Sequence, residues 1–176
     1  MVLCLVGYMG CGKSSIGRRI ARRIGVQCID TDAEVERREG ASVVDIFRYE
    51  GEEYFRRAER STLESIAAVA AEGGEDVIVS TGGGLPVWSD NMEFMNRTGC
   101  TVYIRRTAEQ IASRLSPYGR MKRPKLRGLN DEELVAFMRE GIESRREFYE
   151  RSMLTVDGGE HSDEELTQII TDWIKQ

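Results

Sequence analysis

One run near the N-terminus constrains this chain more than any other feature, namely Gly7-Tyr8-Met9-Gly10-Cys11-Gly12-Lys13-Ser14. A glycine, four residues and then Gly-Lys-Ser form the pattern of a phosphate-binding loop. The apolar residues 2–6 before the run predict a buried strand, and isoleucines spaced four apart in residues 13–24 predict a helix with one apolar face. A strand, a glycine-rich loop and a helix in that order favour an α/β fold that binds a nucleotide.

The chemistry of this loop follows from its residue types. Glycines let the backbone curl so that several N–H groups point at one phosphate, and the following helix adds the positive end of its dipole. We expect Lys13 to reach the outer phosphates of ATP and Ser14 to coordinate a Mg²⁺ ion that bridges them. Cys11 lies near Lys13 and a helix N-terminus, so we expect its alkylation to block ATP binding, with an inert filler as the alternative.

Composition excludes several classes of function. The chain has 176 residues, a formal charge of −5 and a pI near 5.2, which argues against nucleic acid or an anionic membrane as a general partner. The four cysteines lack the spacing of a metal site, which is typical of a reducing cytoplasmic setting. Because His161 is the only histidine, a catalytic base is expected to be a carboxylate.

Helix and strand signals alternate along the whole chain and predict a three-layer α/β/α fold with a parallel sheet in one domain over residues 1–176. Capping-box patterns predict helix starts after Thr107, Asn130 and Ser162. Helices are predicted over 13–24, over 33–72 with breaks near 40 and 51, over 90–96 and over 108–115. The five predicted strands cover residues 2–6, 27–30, 77–80, 100–105 and 153–156.

Two carboxylates, Asp30 and Asp32, follow the second predicted strand. In an extended segment, residues two apart face the same side, so both would project past the carboxyl end of the sheet, where open α/β folds bind ligands. One could hold Mg²⁺ through water and the other could accept a proton from a substrate hydroxyl. Helix capping is the other interpretation. No acidic residue ends the third strand, which favours Asp30 as the metal residue.

Three further segments have residue types that could bind a ligand. Glycines 82–84 end the third strand, where they allow close approach to a ligand or a sharp bend. Arg56 and Glu59 share one helix face, either as an anion clamp or as a solvated ion pair. Residues 117–129 carry five basic and no acidic side chains, which predicts a lid over phosphates or a plain exposed loop. The five basic residues are Arg120, Lys122, Arg123, Lys125 and Arg127.

Taken together, these motifs closely resemble the shikimate kinase family, relatives of the nucleoside monophosphate kinases. The phosphate loop alone is common to many proteins, but its combination with five further motifs is specific. These are Asp30-Thr31-Asp32, Phe55-Arg56-Arg57, the triple glycine at 82–84, Arg123-Pro124 in the lid and the late arginine Arg145. The resemblance implies a P-loop fold with a five-stranded parallel sheet, a substrate-binding region near residues 31–60 and a lid near 115–130. It also implies transfer of the ATP γ-phosphate to the 3-hydroxyl of shikimate, in chorismate and aromatic amino acid biosynthesis.

The resemblance also implies residue roles. Lys13, Asp32 as general base and Arg123 from the lid would be catalytic, and Ser14 and Asp30 would serve Mg²⁺. Shikimate would contact Asp32, Arg56, Arg145, Phe47, Phe55, Glu59, Gly82, Gly83 and Gly84, with Glu59 orienting Arg56. ATP would contact Gly10, Cys11, Gly12, Lys13, Ser14, Ser15, Arg114 and Arg123, with Arg114 stacking on adenine.

One position departs from the family pattern, since Lys125 stands where the lid usually has leucine. The residues alone indicate ATP, Mg²⁺ and an anionic acceptor with a hydroxyl, and only the resemblance names shikimate. Alternatives are a gluconate-type sugar-acid kinase, a nucleotide kinase and a nucleotide-dependent switch without an acceptor. We expect a cytoplasmic monomer that binds shikimate and ATP, without a nucleic-acid or membrane partner.

Overall fold

The computed structural model describes residues 1–121 and 123–176, and these residues form one parallel sheet of five strands. The strands are β1 (Val2–Val6), β2 (Gln27–Asp30), β3 (Val77–Ser80), β4 (Cys100–Arg105) and β5 (Leu154–Asp157). Their order across the sheet is β2-β3-β1-β4-β5, and every neighbouring pair is parallel. The phosphate-loop strand β1 therefore lies at the centre of the sheet.

Helices connect the strands, as a parallel sheet requires. In the described residues they are α1 (Lys13–Ile24), α2 (Thr31–Glu39), α3 (Val43–Tyr49), α4 (Glu52–Gly73), α5 (Asn91–Thr98), α6 (Ala108–Arg114), α7 (Pro117–Met121), α8 (Asp131–Glu143), α9 (Arg146–Tyr149) and α10 (Asp163–Trp173). Short 3-10 turns cover Leu85–Val87 and Pro124–Leu126. None of the helices described is long and apolar enough to cross a membrane.

The buried side chains form two clusters. The larger one joins all of β1 to the inward faces of α1, α4, α5, α6, α8 and α10. A smaller cluster of Val35, Ile46 and Phe55 holds α2, α3 and α4 together beside the sheet. The second cluster gives the helical region after β2 its own apolar centre, which fixes the position of α4 and its charged residues relative to the strand ends.

The predicted α/β/α architecture is confirmed, and the first four strands have the predicted bounds. The three capping boxes are present as predicted. The fifth strand begins one residue later than predicted, because the Met153 N–H bonds to the Thr101 side chain at 3.0 Å. The helical stretch breaks near Gly40 and Gly51 as expected, giving α2, α3 and α4.

One boundary error changes an argument about the site. Helix α2 begins at Thr31, two residues before the predicted start, because Asp30 is its N-cap. Asp32 therefore lies in the first helical turn and not in an extended segment. The two carboxylates are brought to the same sheet edge by a cap followed by a helical turn, and the predicted alternation along a strand is wrong.

Candidate active site

The loop between β1 and α1 wraps around the amine of Lys13. Its Nζ donates hydrogen bonds to the carbonyl oxygens of Gly7 at 2.8 Å and Tyr8 at 3.0 Å, and only 7% of the residue is exposed. Gly10 and Gly12 have φ values of 81° and 107°, a backbone conformation that favours glycine. The amine is thus held within the loop before any phosphate arrives.

Cys11 does not offer a reactive thiol at the surface of this loop. Its side chain is fully buried, and its Sγ lies 3.8 Å from Lys13 Nζ. A buried sulfur is out of reach of an alkylating reagent in the folded chain, contrary to the expectation from sequence. The alternative interpretation, a small residue that fills the loop, agrees with the packing.

Three oxygen atoms meet at the start of α1. Ser14 Oγ donates to Asp30 Oδ2 at 2.8 Å and lies 2.9 Å from Ser80 Oγ. Asp30 Oδ1 accepts the N–H groups of Asp32 at 3.1 Å and Ala33 at 3.4 Å. One carboxylate oxygen therefore caps α2 while the other faces Ser14, so the capping and the metal interpretations are compatible.

Asp32 projects from the first turn of α2 toward the triple glycine. A Cβ atom on Gly82 would lie 2.6 Å from Asp32 Oδ1, so only glycine leaves room for the carboxylate. Burial raises the pKa of Asp32, as does the neighbouring charge of Asp30, whereas Lys13 and Arg56 oppose the shift. The carboxylate therefore lies in a desolvated position between two cations.

Arg56 and Glu59 form a buried ion pair on α4. Arg56 Nη1 lies 2.5 Å from Glu59 Oε2, and its Nη2 lies 3.2 Å from Glu52 Oε1. Only 1% of the Glu59 side chain is exposed, which excludes the solvated-pair interpretation. Burial raises the pKa of Glu59 to about 7 in spite of the Arg56 charge. Its Oε1 has no hydrogen-bond partner among the described residues.

Two phenylalanines support the Arg56 guanidinium. The rings of Phe47 and Phe55 have centroids 4.7 Å apart. The Arg56 Cζ atom lies 5.4 Å from the Phe55 centroid and 6.0 Å from that of Phe47. Phe55 is buried and Phe47 is half-buried, so the ring of Phe47 is the one with surface left for a ligand.

The triple glycine links these groups to the phosphate loop. The Gly82 N–H donates to Thr31 Oγ1 at 2.9 Å, and the Gly83 carbonyl accepts the hydroxyl of the buried Tyr149 at 2.6 Å. Added Cβ atoms would lie 3.4 Å from the Met9 nitrogen at Gly83 and 2.6 Å from Arg56 Nη1 at Gly84. The segment thus packs against the loop on one side and the arginine on the other.

Arg145 reaches the site from the segment between α8 and α9. Its Cζ lies 5.2 Å from the ring centroid of Tyr8 in the phosphate loop, and its Nη1 donates to the Gly141 carbonyl at 3.2 Å. Burial raises the pKa of Tyr8, and the Arg145 charge opposes the shift. Arg145 is therefore near the phosphate loop, whereas Arg56 lies against the triple glycine.

The predicted lid packs against the main core through apolar side chains. Leu126 is buried in the main core and Leu129 packs against it, whereas Lys125 is exposed, so neighbouring leucines supply the apolar packing that Lys125 does not. Arg123 Nη1 donates to the Gly119 carbonyl at 2.6 Å, a contact within the lid itself. Lys122 of the basic run lies outside the described residues. The lid thus holds Arg123 without a carboxylate partner in the contacts described.

Arg114, the predicted adenine contact, is held by a residue that the sequence did not single out. Its Nη2 lies 2.8 Å from Asp163 Oδ2 at the start of α10, and 3.6 Å from the position of a Cβ atom on Gly12. Arg106, Ser80 and Tyr149 were missed as well. No local motif marks them, because each one contacts the site from a distant part of the sequence.

Comparisons with known proteins agree on one family. The family model for shikimate kinase matches residues 9–175. A shikimate kinase from Parabacteroides distasonis is 44% identical over 153 residues, which cover 87% of this chain and 85% of the relative.

Solved structures give the same result for the whole fold. A shikimate kinase from Bacteroides thetaiotaomicron has a TM-score of 0.89 at 35% identity, covering 100% of this chain and 99% of that chain. A shikimate kinase from Acinetobacter baumannii in complex with shikimate has a TM-score of 0.83 at 30% identity, covering 98% and 92%. The likeness therefore spans the phosphate loop, the triple glycine and the C-terminal helix alike.

Proposed function

The chain belongs to the shikimate kinase family, and on that premise we propose how its residues divide the work of phosphoryl transfer. The enzyme transfers the γ-phosphate of ATP to the 3-hydroxyl of shikimate, giving shikimate 3-phosphate and ADP on the route to chorismate. One observation carries the assignment of roles: the triple glycine packs against the phosphate loop, Asp32 and Arg56 at once. A phosphate donor and a hydroxylated anion would therefore meet at this segment.

ATP binds along the phosphate loop. Backbone N–H groups of Gly10, Cys11 and Gly12 and the amine of Lys13 receive its phosphates, with Ser15 following on α1. Lys13 is preorganised, because carbonyl oxygens of the loop already hold it. Arg123 from the lid adds positive charge as the phosphoryl group transfers, and Arg114 lies against adenine.

Ser14 and Asp30 would hold Mg²⁺. The donor set fits this ion, since a hydroxyl and one carboxylate oxygen converge within 2.8 Å and Mg²⁺ prefers few protein oxygens beside phosphates and water. When bound, the ion would neutralise negative charge on the transferring phosphates. Asp30 keeps its capping bonds to α2 while its second oxygen serves the ion.

Asp32 acts as the general base toward the 3-hydroxyl of shikimate. Burial raises its pKa, which makes the carboxylate a better proton acceptor than an exposed aspartate. As the hydroxyl oxygen bonds to the γ-phosphorus, its proton passes to Asp32 and the bond to the β–γ bridging oxygen breaks. ADP then leaves with the electron pair of that bond.

The rest of the pocket orients shikimate. Arg56 and Arg145 bind its carboxylate, and Glu59 holds the Arg56 guanidinium in one orientation. The ring lies on glycines 82–84, with Phe47 and Phe55 at its apolar edge.

We further propose a single domain over residues 1–176 with the substrate region at 31–60 and the lid at 115–130. It works as a cytoplasmic monomer without nucleic-acid or membrane partners, which the net charge of −5 and four free cysteines support.

The test is ADP release from Mg-ATP with and without shikimate, with gluconate and nucleoside monophosphates as parallel acceptors. We expect a large stimulation by shikimate alone. An Asp32→Asn variant with near wild-type stability should lose most of this stimulation, because the amide cannot take the proton. Stimulation by another acceptor would reassign the substrate, and equal release without any acceptor would indicate a nucleotide hydrolase.

A further inference from the structure

A buried arginine that follows β4 connects three parts of the chain. Arg106 is 7% exposed. Its Nε donates to the carbonyl oxygen of Cys11 in the phosphate loop at 3.0 Å, and its Nη1 donates to the Gly158 carbonyl after β5. Its Nη2 lies 2.8 Å from Asp163 Oδ1 in the first turn of α10. A buried cation is costly unless it is paired and hydrogen-bonded, so this geometry is held by all three contacts together.

The contact with the phosphate loop controls the direction of a backbone donor. The Cys11 carbonyl and the Gly12 N–H belong to one planar trans peptide and point in opposite directions. Because Arg106 holds the carbonyl, the Gly12 N–H is directed away from Arg106. A fixed N–H direction is what a loop needs in order to bind phosphate through its backbone.

The contact with Asp163 reaches a second arginine. The Asp163 carboxylate accepts hydrogen bonds from Arg106 and from Arg114, whose Nη2 lies 2.8 Å from Oδ2 and 3.1 Å from Oδ1. Asp163 is the first residue of α10, where the helix dipole favours a negative charge. One carboxylate thus fixes both guanidinium groups, and Arg114 lies against the phosphate loop at Gly12.

The backbone around Arg106 is fitted to the guanidinium. A Cβ atom on Gly158 would lie 2.5 Å from Arg106 Nε and 2.6 Å from its Cζ, so this position accepts only glycine without a shift. Burial is the main reason that the pKa of Arg106 is lowered, with the Arg114 charge as the second cause. A pKa that is lowered mainly by burial agrees with the close packing of Gly158 around this side chain.

We propose that Arg106 is a positioning residue for ATP, which sets the phosphate-loop backbone through Cys11 and orients Arg114 through Asp163. This role rests on the proposed assignment of the phosphates to the loop and of adenine to Arg114. It predicts that Arg106 affects both the phosphates and the base. Asp163 should affect mainly the base, because the Cys11 and Gly158 carbonyls still hold Arg106 when Asp163 is replaced.

Calorimetric binding of Mg-ATP and of tripolyphosphate, which lacks a base, tests this division. Arg106→Met should weaken both ligands by about tenfold, the value of one hydrogen bond to a charged group. Asp163→Asn should weaken ATP by several-fold and leave tripolyphosphate within twofold. The control Arg105→Met removes an exposed neighbour that pairs with Asp157 and should change neither ligand.

Kinetics on the same variants separate positioning from a general loss of structure. KM for ATP should rise while KM for shikimate stays within twofold, and Arg106→Lys should recover part of the affinity because its ammonium group can still donate to some of the same acceptors. Unchanged binding of ATP in Arg106→Met, or an equal rise in both KM values, would overturn the proposal. If Arg106→Met does not fold, Arg106→Lys and Asp163→Asn provide the same comparison. If shikimate did not stimulate the wild-type enzyme, the proposed function would be refuted. The positioning role of Arg106 would still be tested, because the binding measurements need no turnover.

Discussion

Lys13 and Arg123 in the proposed nucleotide half and Arg56 in the proposed substrate half are held by different kinds of partner. In the nucleotide half, Lys13 donates to carbonyl oxygens of its own loop, and Arg123 donates to a carbonyl oxygen in the lid. In the substrate half, Arg56 contacts two carboxylates, the buried Glu59 and the exposed Glu52. The difference lies in the charge of the partner, since a carbonyl group is a dipole without net charge.

This difference indicates what each cation contributes. Lys13 and Arg123 are fixed in place while their full charge stays available to the phosphates, where charge develops during transfer. Arg56 shares its charge with Glu59, so its main contribution is a rigid planar fork that matches a carboxylate. Loss of charge should therefore be most costly at Lys13 and Arg123, and loss of the planar shape should be most costly at Arg56.

Replacement of Lys13 by methionine tests the first half of the comparison and should have the largest effect. Methionine fills similar space but leaves the Gly7 and Tyr8 carbonyls without their donor and the phosphates without a cation. We expect kcat/KM for ATP to fall about 1,000-fold, the upper range for one preorganised donor. Steady-state kinetics with a thermal melt of the variant measures this. A loss below tenfold in a folded variant would contradict the view that Lys13 keeps its charge for the phosphates.

Arg123→Ala should have the next largest effect. We expect kcat to fall about 100-fold with little change in KM for shikimate, because the lid arginine acts on the transferring group and not on the acceptor. Arg127→Ala is a matched control, since Arg127 is exposed in the same segment and also donates to a lid carbonyl, at 2.8 Å from Met121. Equal losses in the two variants would point to the lid fold and not to Arg123.

Arg56→Lys tests the second half of the comparison. Lysine keeps the charge but loses the planar fork, so we expect KM for shikimate to rise about tenfold with a smaller change in kcat. The neighbouring Arg57 is exposed and pairs with Glu53, and Arg57→Lys should leave KM unchanged. A near wild-type KM in Arg56→Lys would mean that charge alone suffices there, and the contrast between the two halves would fail.

The fold was predictable because local signals agree with the tertiary structure. Capping boxes at Thr107, Asn130 and Ser162 and the apolar strand runs give bounds that the structure confirms within a residue or two. The error at α2 arose because Asp30 and Asp32 are both acceptable caps in sequence. Only the packing of Asp30 against Ser14 decides between them.

The site was predictable where its residues lie in motifs, and not where they act across the fold. Arg106 contacts Cys11 across 95 positions of sequence, and no spacing rule links them. Arg56 and Glu59 were visible as a helical pair, but the 1% exposure of Glu59 depends on how the triple glycine and α4 pack. Burial decides whether such a pair is a solvated ion pair or a buried clamp for an anion. The spacing of two residues in a sequence does not give their burial.

The buried Glu59 makes a prediction about stability that is independent of catalysis. Its pKa is about 7 in the folded chain and 4.5 in the unfolded reference state. Between these values the folded chain keeps the proton while the unfolded chain releases it. The stability contribution is fully present below pH 4.5 and is lost as the pH rises through 7, by about 1.4 kcal/mol for each pH unit within the window.

Glu59→Gln removes this titration, and of the substitutions considered we expect it to have the smallest effect. Glutamine still accepts a hydrogen bond from Arg56 but stays neutral, so the free energy of unfolding of the wild type should fall relative to the variant from pH 5 to 7.5. Urea unfolding of both proteins at several pH values measures the difference, in which most other titrations cancel. A difference that is constant with pH would mean that Glu59 is ionised throughout and neutralises Arg56 fully. A falling difference would mean that protonation of Glu59 frees the Arg56 charge, which brings the substrate half closer to the nucleotide half at low pH.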